Sequence, residues 1–215
     1  MTLSASRIQT LLEPYHPATP LQVCDKIVTY IDLLTFWGRK IALTAISTEE
    51  EIARFHFGES IFALSLQSFE KGRLADVGSG AGFPGLAIKL LRANLKLTLL
   101  EPNKRKCAFL NEVIRKLELR EVEVLPIGFQ QASESKSGDL MYVTSRALGR
   151  TSDLLSWSRN ALSVDGRVVL WLGANDVVAA MKVPNWHWAQ AAIPESARRK
   201  ILVGIPGNVG IKAVS

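Results

Sequence analysis

Cysteine and histidine, which define many catalytic and metal sites, are scarce in this chain. Its 215 residues include two cysteines, Cys24 and Cys107, and three histidines, His16, His56 and His187. The two cysteines lack the spacing of a zinc site and are too few for a disulfide framework, so we expect a cytoplasmic protein without a metal. The histidines are too scattered along the chain to suggest a metal site or a catalytic relay.

Long apolar runs are absent as well. No apolar run approaches the roughly 18 residues of a membrane span, and residues 1–13 lack the basic and apolar segments of a secretory signal. We therefore expect neither membrane insertion nor secretion. Hydrophobic residues still make up 47% of the chain, which predicts a folded core. The net charge of +6 favours a polyanionic partner.

A change of pattern near residue 70 divides the chain into two predicted parts. Before it, apolar residues at three- and four-residue spacing predict helices around 23–37 and 49–66. After it, strand-like and helical runs alternate, as in βαβ units around a largely parallel sheet. The predicted strands are 73–77, 96–101, 121–125, 139–144, 167–172, 186–193 and 200–205, and the predicted helices are 84–93, 104–117 and 150–162. Asn103 is the predicted cap of the second of these helices, whose apolar stripe places Cys107 in the core as a small residue. We expect a helical extension over 1–70 and an α/β domain over 71–215.

The most distinctive segment joins the first predicted strand to the helix that follows it. It reads Leu74-Ala-Asp-Val-Gly-Ser-Gly-Ala-Gly-Phe-Pro-Gly85, with a glycine at every second position from Gly78 to Gly82. A ligand can lie directly against backbone without side chains, and glycine permits the sharp turn from strand to helix. The pattern predicts a nucleotide-type cofactor at this loop.

Two cofactors match this loop. Gly80-x-Gly82-x-x-Gly85 fits the dinucleotide pattern, with Glu101 as the acid that binds the ribose. The overlapping Gly78-x-Gly80-x-Gly82, preceded by Asp76, fits S-adenosylmethionine. We favour this methyl donor, because Asp76 would attract its sulfonium and ammonium groups and would repel a pyrophosphate. A dinucleotide-dependent oxidoreductase and a non-catalytic nucleotide sensor remain open at this point.

The ends of the predicted strands supply the candidate site residues. In open parallel sheets, ligands bind beyond the carboxyl ends of the strands. The candidates are Asp76 and 78–82 after strand one, Glu101 after strand two, Phe129 and Gln130 after strand three, Ser145 and Arg146 after strand four, and 171–174 after strand five. An arginine beside a cofactor cleft is the best of these for substrate contact.

Three segments resemble one bacterial family. They are Asp76 to Gly85, Leu99-Leu-Glu-Pro-Asn-Lys-Arg-Lys-Cys-Ala-Phe-Leu110 and Ser145-Arg-Ala147, and they look like the small-subunit ribosomal RNA methyltransferase G family, also called glucose-inhibited division protein B. Upstream, Trp37, Leu43-Thr44 and His56-Phe-Gly-Glu-Ser60 resemble its helical N-terminal region. The likeness covers most of the chain and is clearest over 70–150.

The resemblance implies a fold and an activity. The fold is that of a class I S-adenosylmethionine-dependent methyltransferase, which is Rossmann-like α/β with a seven-stranded, mostly parallel sheet and a helical N-terminal extension. The activity is methyl transfer from S-adenosylmethionine to N7 of a guanine in the 530 loop of 16S rRNA, with the small ribosomal subunit as partner. We expect a monomer that needs neither metal nor membrane.

The matching motifs also imply site residues. Asp76, Gly78, Ser79, Gly80, Gly82 and Phe83 would line the cofactor, Glu101 would hold its ribose, and Phe129 and Gln130 would border its adenine. Arg146 occupies the position of the family's strand-four arginine. It would contact both the cofactor and the substrate and is the predicted catalytic residue.

Some positions depart from the family's pattern. The family usually has a lysine before the glycine after strand five, where this chain has Leu172-Gly173. An arginine expected near residue 128 is Gly128, and the acid after it is Gln130. These differences keep open a class I methyltransferase that acts on a different RNA or on a small molecule. Guanine N7 has a lone pair and no proton, so its methylation needs no general base, and none is evident at the strand ends.

Overall fold

Seven strands form one sheet in the computed structural model of the chain, in the order β3-β2-β1-β4-β5-β7-β6. The strands are β1 (Gly72–Val77), β2 (Leu95–Leu100), β3 (Val122–Leu125), β4 (Leu140–Arg146), β5 (Leu162–Gly173), β6 (Trp186–Ala192) and β7 (Arg199–Pro206). The structure describes residues 3–45, 48–134, 138–146, 149–197 and 199–207. β1 to β5 pair in parallel, whereas β7 is antiparallel to both β5 and β6. The predicted α/β fold with a mostly parallel seven-stranded sheet is confirmed.

The helices follow the predicted alternation with two differences. They are α1 (Ala5–Leu12), α2 (Leu21–Gly38), α3 (Glu49–Glu51), α4 (Glu59–Ile61), α5 (Gly85–Leu91), α6 (Lys104–Lys116), α7 (Thr151–Ala161) and α8 (Ala174–Met181). α8 was not predicted, because its eight residues are too few for a clear periodic pattern. β5 begins at Leu162, so the helix predicted to reach that residue ends before it.

The predicted helix over 49–66 is not a regular α-helix. A π-helix, Ile52–Gly58, lies between α3 and α4, and a 3-10 turn, Phe62–Ser65, follows α4. Residues 56–61 are all buried, so the burial of this segment does not follow a period of 3.6 residues. π-helical turns are rare and are often found at functional sites. This one lies next to the cleft described below.

Two apolar layers cover the two faces of the sheet, since successive strand residues point to opposite sides. In β1, Leu74 belongs to the layer with α1, α2, α5 and α6, and Ala75 belongs to the layer with α7 and α8. The first layer joins residues from both sides of position 70, such as Ile27 and Leu97. The division into 1–70 and 71–215 stays a prediction.

α6 shows how local sequence fixes an element beside the site. Its cap is Asn103, whose Oδ1 accepts the N–H groups of Arg105 at 2.9 Å and Lys106 at 3.3 Å. This satisfies two N–H groups that have no partner within the helix. The apolar stripe predicted for this helix faces the core, and its buried members are Cys107, Leu110 and Val113, with Leu117 just beyond the helix. Cys107 is the small core residue that the spacing predicted.

The glycine loop between β1 and α5 packs beneath helix α2. The hydroxyl of Tyr30 donates a 2.6 Å hydrogen bond to the carbonyl oxygen of Ala81. Gly80 and Gly82 both have positive φ, +58° and +89°. A Cβ on Gly82 would overlap Tyr30 Oη and lie 2.6 Å from Leu86 Cδ1, whereas a Cβ on Gly80 would meet only a carbonyl oxygen at 3.8 Å. The absence of a side chain at Gly82 therefore accommodates Tyr30 and Leu86, whereas its absence at Gly80 leaves open space beside the loop.

These two glycines predict different costs for one substitution. Gly82→Ala adds steric overlap to backbone strain, so we expect it to lower the free energy of unfolding by about 3 kcal/mol. Gly80→Ala, the matched control, carries only the strain and is expected to cost about 1 kcal/mol. Urea unfolding of the two variants measures both values. Equal costs would contradict the packing of Gly82 against Tyr30.

Candidate functional site

Asp76, at the end of β1, is a fully buried acid. Its Oδ1 accepts a 2.7 Å hydrogen bond from the hydroxyl of Thr144 on the neighbouring strand β4. Burial raises the pKa of Asp76 to about 6, although this hydrogen bond and the nearby Ser79 and Gly85 oppose the shift. A cation bound beside this carboxyl group would lower its pKa and favour the charged form.

The second oxygen of Asp76 makes no hydrogen bond within the described part of the chain. This atom, Oδ2, is buried. The N–H of Gly85 stabilises its charge without the geometry of a hydrogen bond. A Cβ on Gly85 would lie 2.8 Å from Oδ2, so the absence of a side chain there lets α5 begin directly beside the carboxylate. A buried carboxylate oxygen without a donor is an unusual feature and a candidate ligand contact.

Glu101 follows β2 and connects the glycine loop to α6. Its Oε2 accepts the N–H of Gly80 at 2.9 Å, and its Oε1 accepts the N–H of Asn103 at 2.9 Å. Each carboxylate oxygen can accept a second hydrogen bond. Glu101 therefore fixes the loop and keeps capacity for the two hydroxyl groups of a ribose.

The backbone N–H groups of the glycine loop are largely used within the protein. Five of them donate to protein acceptors: Gly78 and Ser79 to Leu100 O, Gly80 to Glu101, and Gly82 and Phe83 to Ser79 O. A dinucleotide pyrophosphate binds to free N–H groups at such a loop. With these donors occupied and a buried acid beside them, the geometry favours a cationic ligand over a pyrophosphate.

Two predicted cofactor residues direct their side chains into the protein. The hydroxyl of Ser79 donates to the carbonyl oxygen of Asp76 at 2.8 Å. The ring of Phe83 stacks on Tyr30 at 5.4 Å and on His56 at 4.8 Å between centroids. Both residues shape the loop from the core side. Their contacts with a cofactor, like those of Gly78, Gly80 and Gly82, stay predictions.

Phe129 and Gln130 lie beyond the end of β3, on the other side of Glu101. Phe129 is buried edge-to-face against Trp157, with the Arg150 guanidinium 5.9 Å from its ring centroid. Gln130 is exposed and accepts a hydrogen bond from Arg150. Their predicted role at the border of an adenine pocket stays a prediction.

Arg146, the predicted catalytic residue, ends β4 and points into the protein. Its Nη1 donates to Phe55 O at 2.9 Å and lies 3.9 Å from Glu59 Oε2, and its Nη2 contacts Nδ1 of His56. Burial lowers the pKa of Arg146 to about 10. The guanidinium thus connects β4 to the π-helix. The contact of Arg146 with a substrate and a cofactor stays a prediction. Ala147, the last residue of that motif, lies outside the described residues.

The imidazole of His56 is neutral in this environment. Burial, with Arg146 and Arg199 nearby, lowers the pKa of His56 to about 3. Because arginine is always a donor, Nδ1 accepts from Arg146, and Nε2 carries the proton toward Thr44 Oγ1 at 2.6 Å. His56 is therefore a fixed hydrogen-bonding bridge at neutral pH.

Sequence reasoning missed a buried acid and a second arginine at this site. Glu59 is fully buried, and its Oε1 pairs with Arg199 Nη2 at 2.8 Å. Trp171 Nε1 also donates to the carbonyl oxygen of Glu59 at 2.7 Å. The resemblance in the N-terminal region included Glu59 within the segment 56–60, but nothing in that segment indicated its burial. Nothing in the sequence indicated Arg199, because it lies 140 positions further along the chain and meets Glu59 only through folding.

An open cleft of about 510 Å³ lies beside this acid, at the carboxyl end of β5. We call it the strand-five cleft. Its lining includes Phe55, Glu59, Gly173, Glu195, Ser196 and Arg199. Glu195 pairs across it with Arg54 at 2.6 Å. Because the carboxyl ends of β4 and β5 are adjacent, the cleft is next to the predicted position of the substrate.

The part of the chain that the structure describes offers neither a metal-ion cluster nor a membrane-spanning helix. It holds no cluster of three or more His, Cys, Asp or Glu side chains suited to a metal ion. Among the same residues, no helix has both the length and the apolar character needed to cross a membrane.

Comparison with known proteins identifies the family. The family model GidB, described as rRNA small subunit methyltransferase G, matches residues 23–186. The chain belongs to this family. The match covers most of α2, the π-helix and most of the sheet, and therefore both the glycine loop and Arg146.

Curated relatives of the methyltransferase G family support this assignment. The chain is 37% identical over 154 residues to "Ribosomal RNA small subunit methyltransferase G" of Clostridium perfringens, covering 70% of this chain and 64% of that protein. It is 34% identical over 202 residues to the protein of the same name from Syntrophotalea carbinolica, covering 94% of this chain and 88% of that protein. The matched segment thus spans slightly less than two thirds of the first relative.

Solved structures show the same fold at low identity. A ribosomal protein L11 methylase from Lactobacillus delbrueckii has a TM-score of 0.60 at 12% identity, covering 72% of this chain and 79% of that one. A precorrin-6y C5,15-methyltransferase from Geobacter metallireducens has a TM-score of 0.55 at 15% identity, covering 69% and 87%. These similarities establish the class I methyltransferase fold.

The raised pKa of Asp76 predicts a pH dependence of stability. Between pH 4 and 6, the folded state holds the Asp76 proton more tightly than the unfolded state does, so stability falls as the pH rises. Asp76→Asn lacks this titration. Relative to the variant, the wild type should lose about 2 kcal/mol between pH 4 and pH 7, measured by urea unfolding. A difference that does not change with pH would contradict the shift.

The contacts of Arg146 predict a structural cost for its removal. Arg146→Ala removes the hydrogen bond to the carbonyl oxygen of Phe55 and one of the two cations beside the buried Glu59, so we expect a loss of about 3 kcal/mol in unfolding free energy. Arg150→Ala is the matched control, since Arg150 is exposed and pairs with exposed Asp153. The same unfolding experiment should show little change for this control. Equal losses would contradict a connecting role for Arg146.

Proposed function

We propose that this chain transfers a methyl group from S-adenosylmethionine to N7 of a guanine in the 530 loop of 16S rRNA. Membership of the methyltransferase G family and the class I fold support this activity. The observation that carries the proposal is a buried acid with an unpaired oxygen, Asp76, next to a glycine loop whose donors are mostly occupied.

The residues at the glycine loop fit the methyl donor. S-adenosylmethionine has a cationic sulfonium, an ammonium and a ribose diol, and it has no pyrophosphate. Asp76 offers a buried negative charge, and Glu101 offers a second lone pair on each carboxylate oxygen. The open space at Gly80 lets a ligand lie against the backbone. We assign the ammonium end to Asp76, the ribose to Glu101 and the adenine border to Phe129 and Gln130.

The chemistry at guanine N7 requires alignment more than proton transfer. The bound donor supplies an electrophilic methyl group, and N7 already has a free lone pair. The chain's own contribution is then to hold both reactants at attack distance, which lowers the entropic part of the barrier. Arg146 contributes as a positioning residue, because it holds the π-helix against the end of β4.

RNA is the substrate class that charge and family favour. The chain carries 26 Lys and Arg residues against 20 Asp and Glu residues. Such an excess attracts polyanions over long distances at low salt. We further propose that the protein acts as a cytoplasmic monomer on 16S rRNA or on the small ribosomal subunit.

A direct transfer experiment tests the activity. Small subunits and naked 16S rRNA from a strain that lacks the N7 modification are incubated with the protein and methyl-labelled S-adenosylmethionine. We expect label in 16S rRNA at a 530-loop guanine, located by mass spectrometry. Label elsewhere in the RNA would support the alternative of a different RNA target, and label only in small molecules would refute RNA methylation.

Calorimetric titration tests the cofactor assignment. We expect S-adenosylmethionine to bind and NAD to show no binding under the same conditions. Affinity for S-adenosylmethionine should rise severalfold from pH 5 to pH 7, because the ionised form of Asp76 attracts the cationic ligand and its pKa is about 6. Gly80→Val should abolish binding by filling the open space beside the loop. Binding of NAD in place of S-adenosylmethionine would overturn the assignment.

A further inference from the structure

A second arginine in the strand-five cleft has no role in the proposed activity so far. Arg199 is the first residue of β7 and pairs across the sheet with Gly173, the last residue of β5. Its side chain is 36% exposed, whereas that of Arg146 is 11% exposed. Of the two arginines beside Glu59, Arg199 is thus the one that solvent, and therefore a substrate, can reach.

The floor of the cleft brings two guanidinium groups to one buried carboxylate. Two guanidinium groups, of Arg146 and Arg199, flank the single carboxylate of Glu59 at 3.9 Å and 2.8 Å. At the rim, Glu195 is neutralised by Arg54. Because Arg146 also interacts electrostatically with the buried Asp76, Arg199 is the cation beside Glu59 that the cleft presents to solvent.

The two arginines differ in the donors that they can offer. Arg146 directs Nη1 to Phe55 O and Nη2 to His56, so both terminal nitrogens are engaged within the protein. Arg199 pairs with Glu59 through Nη2. A guanidinium has five N–H donors in a planar fork. The ion pair with Glu59 holds the guanidinium of Arg199 in the cleft, and its remaining N–H groups are available to a ligand there.

We propose that Arg199 binds a phosphate group of the RNA substrate in the strand-five cleft, and that Glu59 positions Arg199 for this contact. This inference rests on the proposed function, because it deepens the recognition of the same substrate. A planar cationic fork matches the geometry of a phosphate, and a half-exposed site admits one without full desolvation. Phe55 gives the cleft an aromatic wall beside the phosphate.

The test measures RNA binding separately from methyl transfer. Fluorescence anisotropy of a labelled 16S rRNA fragment containing the 530 loop gives the dissociation constant at several KCl concentrations. Removing one phosphate contact lowers the slope of log affinity against log salt by about one. We expect Arg199→Ala to weaken RNA binding about tenfold at low salt and to reduce this slope, with the affinity for S-adenosylmethionine changed less than twofold.

Two further variants separate the contact from general effects. Lys200→Ala removes the same charge from the next residue of β7, whose side chain points to the other face of the sheet, and should leave binding and slope unchanged. Arg199→Gln removes the charge but keeps a donor toward Glu59, so it gives the same slope test if the alanine variant is unstable. Thermal unfolding checks that each variant is folded.

The outcomes distinguish this inference from the proposed function. An unchanged salt slope in both Arg199 variants would overturn the phosphate contact, even if activity falls. Loss of S-adenosylmethionine binding in folded variants would overturn it too, because Arg199 would then support the cofactor site. If the wild type transfers no methyl group but the slope depends on Arg199, the phosphate contact stands and the proposed function fails.

Discussion

A carboxylate buried away from water is stable only when cations or hydrogen-bond donors lie beside it. The arrangement of the whole site follows from this requirement at Glu59. Its partners come from β4 and β7, the ends of two strands separated by one other strand. The ion pairs therefore hold the helical segment 49–65 across the top of the sheet. The same contacts form the floor of the strand-five cleft, so the stability of this segment and the shape of the substrate region have one physical origin.

The glycine loop meets a second constraint, because it packs against the protein core on one side and is the predicted contact for a ligand on the other. Gly82 makes room for Tyr30 of α2, and Gly85 makes room for the side chain of Asp76. Only Gly80, of these three, has open space where a side chain would be. A motif of regularly spaced glycines thus combines two different requirements. The packing against Tyr30 also makes the N-terminal helices part of the loop's support.

Prediction from the sequence succeeded where local chemistry decides the structure. The seven strands, the cap at Asn103 and the burial of Cys107 follow from alternation, side-chain hydrogen bonding and helical spacing. It failed where distant segments decide. The π-helix has no 3.6-residue stripe, and α8 is too short to show one. The orientation of Arg146 also escaped prediction, since its partners Phe55 and His56 lie 91 and 90 positions away in the sequence.

By itself, the sequence determined the class of the protein, since the order of strands and helices and the loop from Asp76 to Gly85 are local patterns that require no knowledge of contacts. It also placed Glu101 and Arg146 at strand ends, because parallel strands bring these ends to one edge of the sheet. Only the tertiary structure decided what each side chain faces. Arg146 is largely buried and Arg199 lies partly exposed in the cleft. Both guanidinium groups flank the buried carboxylate of Glu59, which is stable there because opposite charges lie beside it.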